Sequence, residues 1–154
     1  MDDAPRGRSQ RVTRRRHGRW QTRPSTLAAV FVGGMVGAAA RYGTGAALPS
    51  LGDGFPWDTL VENVAGSLLL GFVLVVLIER FAPTSLWRPL LAVGALGSFT
   101  TFSAVAVEGN LLVRDGDLAV AAVYWSTTVA LGVGAGLVGI VGAMRLVAWL
   151  DRPT

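Results

Sequence analysis

Gly94-Ala95-Leu96-Gly97-Ser98-Phe99-Thr100-Thr101-Phe102-Ser103 is the stretch on which the fold turns. It lies within 24 residues (90–113) that carry one charge, Glu108. A helix crossing a hydrocarbon core of about 30 Å needs about 20 apolar residues, so 90–113 reads as a membrane span. Yet four hydroxyls within six residues, beside two glycines, make a poor helix centre. The expectation is a span broken near its middle. Carbonyls released by such a break could hold a cation, and the hydroxyls could meet an anion.

Three similar stretches surround it. Residues 26–48 carry one charge (Arg41), 59–78 carry one (Glu62), and 118–144 carry none. Four spans in a chain of 154 residues leave only short connectors, rich in Pro, Gly and Asp. The expected fold is an all-α membrane protein, with residues 25–150 forming one four-helix transmembrane domain. The fourth stretch, at 27 residues, exceeds the bilayer thickness and is expected to tilt or break.

Composition agrees and excludes much else. Half of the chain (51%) is apolar and only 16% is charged, against about 25% in soluble domains. Without cysteine there is no disulfide framework, thiolate catalysis or cysteine-ligated metal. The single histidine, His17, lies in a charged tail, and no nucleophile, base or metal constellation supports an enzyme. Residues 1–24 hold eight of the fourteen arginines against Asp2 and Asp3, a net charge of +6. Lacking hydrophobic period, this tail reads as disordered and cytoplasmic. It suits a topology signal beside the first span better than a lipid anchor or a nucleic-acid arm. An arginine arm for nucleic acid would leave four spans unexplained, so nucleic acid is not expected as a partner.

Glycines and intramembrane polar groups carry the rest of the reading. Gly33/Gly37 and Gly132/Gly136 form GxxxG pairs, which let helix backbones approach where lipid gives no hydrophobic drive. Such faces serve packing within one chain or between subunits, and four short spans point toward an oligomer. Arg41 and Asn63, with the hydroxyls of the third span, are expensive in hydrocarbon and therefore mark a partner or a water-filled path.

Two strings, Phe55-Pro56-Trp57-x-Thr59-Leu60-x-x-Asn63-x-x-Gly66-Ser67 and Gly94-x-x-Gly97-x-x-Thr100-Thr101-Phe102-Ser103, resemble the small four-span fluoride channels of the CrcB (Fluc) family. The run from Gly33 to Arg41 and Tyr42 agrees, and the resemblance covers residues from about 26 to 145. It implies a fluoride-selective channel subunit for passive export from the cytoplasm, which reduces fluoride toxicity, in the cell inner (plasma) membrane. It further implies an antiparallel dimer with two pores. A structural sodium ion would lie at the dimer interface, on backbone carbonyls of Gly97 and Thr100. Asn63 would offer its amide N–H to fluoride, and Phe102 its positive ring edge. Ser103, Tyr124 and Thr128 would continue the polar path. Arg41 would raise the local anion concentration near the vestibule. A negative interior drives the anion outward, worth about 2.3 kcal/mol per 100 mV for one charge.

The departures from that pattern are specific. Val105 stands where the family carries a second pore phenylalanine, and Ala104 where it carries threonine. Asp58 replaces a common glycine, and Glu62 an apolar residue beside Asn63. At about 100° of turn per residue, Glu62 is expected to face away from Asn63, toward another subunit's donor.

Alternatives to a self-sufficient channel are a non-conducting subunit that completes a partner's pore, and a small four-span proton-coupled drug exporter using Glu62. The arginine distribution bears on the first. With the N-terminus cytoplasmic, Arg80, Arg88, Arg145 and Arg152 join the tail inside, leaving Arg114 outside. That asymmetry favours one orientation. The dimer partner is thus expected to be a second, oppositely inserted family subunit (hetero), the alternative being the chain itself (homo).

Overall fold

The computed structural model describes residues 23–48 and 54–152. The 1–24 tail therefore lies almost wholly outside the described residues, as does much of the first connector. Among the described residues there is no strand, and four helical stretches are long and apolar enough to cross a membrane.

Helix α1 (Pro24–Ala47) begins on a proline, whose missing N–H costs nothing at the first helical turn. Helix α2 (Trp57–Arg80) carries Asp58 in its first turn and Arg80 in its last, both complementing the helix dipole. The third span falls into two pieces. Its first half, α3 (88–99), is a π-helix over Arg88–Leu96 that runs into one α-turn, Gly97–Phe99. Its second half is α4 (Phe102–Arg114). A tight turn with Gly116 at φ 91° leads into α5 (Leu118–Leu150).

α5 runs unbroken for 33 residues, so of the two expectations for the fourth span, tilt or break, the break does not occur. At 1.5 Å per residue it is about 50 Å long and outruns the hydrocarbon core. Its far end is fastened by polar contacts. Arg80 pairs with Asp151 at 2.9 Å and donates to the Val147 carbonyl at 3.3 Å.

Two glycine crossings hold the helices together. α1 lies on α3, where a Cβ at Gly33 would collide with the Leu90 carbonyl and one at Gly37 with that of Ala95. α5 lies on α2, where a Cβ at Gly139 would collide with the Leu68 carbonyl and one at Gly71 with that of Gly136. The Gly33/Gly37 face is therefore spent on a crossing inside the subunit, whereas the second crossing is tight at Gly71 and Gly139, an added Cβ at Gly132 or Gly136 meeting Ser67 only at 3.6–3.7 Å.

The interior is small. Leu60, Val105, Leu112, Ala121 and Tyr124 form its cluster, and the Phe55 ring meets Tyr124 edge-on at 5.5 Å. Most other large apolar side chains of the spans are exposed, as expected of surfaces facing lipid or a second subunit.

Candidate functional site at the break in the third span

Thr100 (φ −79°, ψ 152°) and Thr101 (φ −146°, ψ 120°) are extended, and the helix stops for two residues. Each polar group that the interruption releases can be followed. The Thr100 N–H and hydroxyl both donate to the Leu96 carbonyl, each at 3.0 Å. The Thr101 N–H donates to Asn63 Oδ1 at 2.8 Å, and Asn63 Nδ2 donates to the Thr101 carbonyl at 3.0 Å. Asn63 thus bridges the broken backbone as a neighbouring strand would. The Ala104 N–H, which opens α4, donates to the Thr101 hydroxyl at 3.2 Å, an N-cap in mid-span.

This rerouting frees a run of carbonyls. In a continuous helix the Thr101 N–H would bond the Gly97 carbonyl, and the Ala104 N–H that of Thr100. Both donors are committed to side chains instead. Gly97 and Thr100, the two residues that the family resemblance marks for sodium, lose their helical donors in this way, as do Ser98 and Phe99, whose donors would be the first N–H groups of α4. Neutral carbonyl oxygens are the donor type a hard alkali cation takes, so these residues fit the ion.

The break separates two cavities. The first, about 760 Å³, is lined by residues including Arg41, Asp58, Glu62, Thr101, Ser103 and Glu108. The second, about 570 Å³, includes Asn63, Thr100, Thr101, Phe102, Val105 and Thr128. Thr101 lines both, so the interruption is the wall they share.

Sequence-predicted residues fall on both sides of it. Asn63, Phe102 and Thr128 gather in the second cavity. Phe102 is 84% exposed at the start of α4, and Thr128 donates to the Tyr124 carbonyl at 2.7 Å. One Asn63 N–H is already taken by Thr101, leaving one for a ligand. Arg41 and Ser103 line the first cavity. Tyr124 does not continue an open path. It is fully buried, and its hydroxyl donates to Glu108 Oε2 at 2.6 Å.

Three findings depart from the sequence reading. Arg41 shares its cavity with Asp58, Glu62 and Glu108, so three carboxylates against one guanidinium leave a formal charge of −2. That is opposite in sign to an anion-concentrating vestibule. Glu62 does not stand on the outer face of α2: only 4% of it is exposed, and it lines the same cavity as Arg41. Val105 is packed into the core cluster beneath its exposed neighbour Phe102.

The residues that sequence reasoning missed are Thr59 and Glu108. Thr59 donates to Glu108 Oε1 at 2.8 Å, so the carboxylate is held from both sides, by Thr59 and Tyr124. A signal was available. Glu108 is the lone charge of its span, and Thr59 lies four residues before Asn63, on the same face of α2.

Known proteins place the chain in a family. Residues 28–140 match the family described as "CrcB-like protein, Camphor Resistance (CrcB)". The chain is 41% identical over 129 residues to "Fluoride-specific ion channel FluC 3" of Streptomyces avermitilis, covering 83% of this chain and 63% of that protein. It is 36% identical over 130 residues to "Fluoride-specific ion channel FluC 1" of Streptomyces coelicolor, covering 84% of each. With "Fluoride-specific ion channel FluC" of Methylococcus capsulatus the identity is 42% over 122 residues, covering 79% of this chain and 54% of that one. The match with the family runs from α1 into α5 and contains both the break and the Asn63 that bridges it, and the chain belongs to the CrcB family.

Proposed function

We propose that this protein is a subunit of a fluoride channel that lets the anion leave the cytoplasm passively. The observation that carries this reading is the Asn63–Thr101 bridge, in a chain whose relatives are named fluoride-specific channels. Fluoride is small and tightly hydrated, so selecting it requires convergent donors that replace its water. The second cavity supplies the remaining Asn63 N–H and the Phe102 ring edge, while the Thr128 hydroxyl, whose proton goes to the Tyr124 carbonyl, lines the same wall. Ser103 and Arg41 would meet the ion across the shared wall at Thr101, on the other side of the break. The Gly97 and Thr100 carbonyls would hold sodium, which contributes fixed positive charge beside the anion path. No covalent step is involved, which sets the reading apart from an enzyme.

The exposed Phe102 and the open second cavity call for a second subunit to close the path. Because Val105 lies in the core where the resemblance expects a ring, the partner is a distinct family subunit, inserted the opposite way in the plasma membrane. The N-terminus of the present chain is then cytoplasmic. Fluoride-loaded liposomes are the test, with the chain alone and co-reconstituted with a second family subunit from the same cell. A fluoride electrode is expected to register fast efflux that is independent of a proton gradient. Proton-coupled release, or none from either preparation, overturns the reading.

A further inference from the structure

The first cavity has chemistry that an anion path does not use. Glu62 is 96% buried against solvent, lines the cavity, and makes no hydrogen bond or ion pair among the described residues. Its oxygens are not sealed inside the protein, since they are not among the buried polar atoms left without a partner, so the carboxylate reaches into the cavity. Arg41 shares the cavity without closing on any of its three carboxylates, and the ion pair formed among the described residues is Arg80–Asp151, near the C-terminal ends of α2 and α5. Tyr42 also lines the cavity and is 82% exposed.

We propose that this cavity binds an organic cation of the guanidinium or primary-ammonium class, with Glu62 as its principal acceptor. Three observations select that class. The lining keeps a formal charge of −2. Among the described residues no three acidic side chains lie close enough to hold a metal ion, so separated acceptors favour a cation with several donors over a bare one. A guanidinium offers five N–H donors and sheds water more readily than a compact ion. The Tyr42 face adds cation–π attraction of the kind that aromatic sites exert on such groups. Once bound, the cation offsets charge that would otherwise repel an anion from the break. The group arrives either as a free solute or as a basic side chain of the neighbouring subunit, and the two share this chemistry.

The test uses the full chain in lipid nanodiscs and equilibrium dialysis of labelled guanidinium, with tetramethylammonium (no N–H donors) and sodium as competitors. Saturable guanidinium binding that is about tenfold weaker in Glu62→Gln, a loss of roughly 1.4 kcal/mol, supports the free-solute source. A severalfold weakening in Tyr42→Leu is expected alongside it. If the neighbour's side chain fills the site, the wild type binds no guanidinium and Glu62→Gln shifts the dimer toward monomer on size exclusion. Either competitor displacing guanidinium at equal concentration, or a Glu62→Gln protein unchanged in both binding and dimer fraction, overturns the site. Neither readout depends on fluoride flux, so this inference fails separately from the channel reading.

Discussion

Asn63 shows how much one amide can do in a membrane. Its two polar atoms satisfy the N–H and C=O of Thr101, which no water in the hydrocarbon region could reach. Asn63→Asp keeps the shape but sets an acceptor against the Thr101 carbonyl. The variant is expected to lose more than tenfold in fluoride efflux, and roughly 1–3 kcal/mol of stability for the unpaired carbonyl. A fluoride electrode and thermal unfolding in detergent read the two effects, and unchanged efflux would make Asn63 a packing residue only. Val105 is the opposite case. Restoring a ring by Val105→Phe is not expected to return a working pore phenylalanine: position 105 borders the second cavity, but it is 6% exposed and packed into the cluster of Leu60, Leu112 and Tyr124. The expected result is overpacking, costing about 1–3 kcal/mol, with no gain in flux. Thermal melting beside the efflux assay checks this.

At the scale of elements, the break depends on surroundings as much as on its own sequence. Two threonines and two glycines weaken the helix locally, but they do not say which turn opens. The opening falls at 100–101 because Gly66 leaves room there for the Thr100 methyl and because Asn63 lies opposite. The π-helical first half, with Pro89 in its first turn, had no sequence signal to announce it. The glycine crossings are directly testable. Gly33→Val drives a side chain into the Leu90 carbonyl and is expected to abolish monodisperse protein on size exclusion. Gly134→Val, where nothing lies within 4 Å of an added Cβ, is expected to purify and melt as the wild type does. Equal behaviour of the two variants would remove the crossing from the account of the fold.

At the scale of the whole molecule, charge asymmetry and the exposed apolar faces act together. The described helices leave Phe31, Met35, Val93 and Phe102 uncovered, a surface that lipid or a second subunit must meet. Arginine placement, with Arg80, Arg88, Arg145 and Arg152 at one end and Arg114 at the other, favours the single orientation proposed above. A reporter fused to the C-terminus is expected on the cytoplasmic side only, and this chain alone is expected not to restore growth in fluoride to a sensitive strain. A reporter on both sides, together with restored growth, would mean that the chain pairs with itself.

Span number, the location of the interruption within ten residues, and the family motifs were all legible along the chain. Each rests on local features: runs of apolar residues long enough for a bilayer, and hydroxyls crowded beside glycines. Which side each polar group faces was not legible, because it depends on contacts between residues far apart in sequence. Asn63 meets Thr101 across 38 positions, and Thr59 meets Glu108 across 49. Glu62 is buried beside Arg41, Asp58 and Glu108 because α1, α2 and α4 converge on one cavity. The bilayer selects helices from composition alone, since every backbone group must be satisfied within its own segment. The partners of the few groups left over are set by how those helices cross, and only the packed structure decides that.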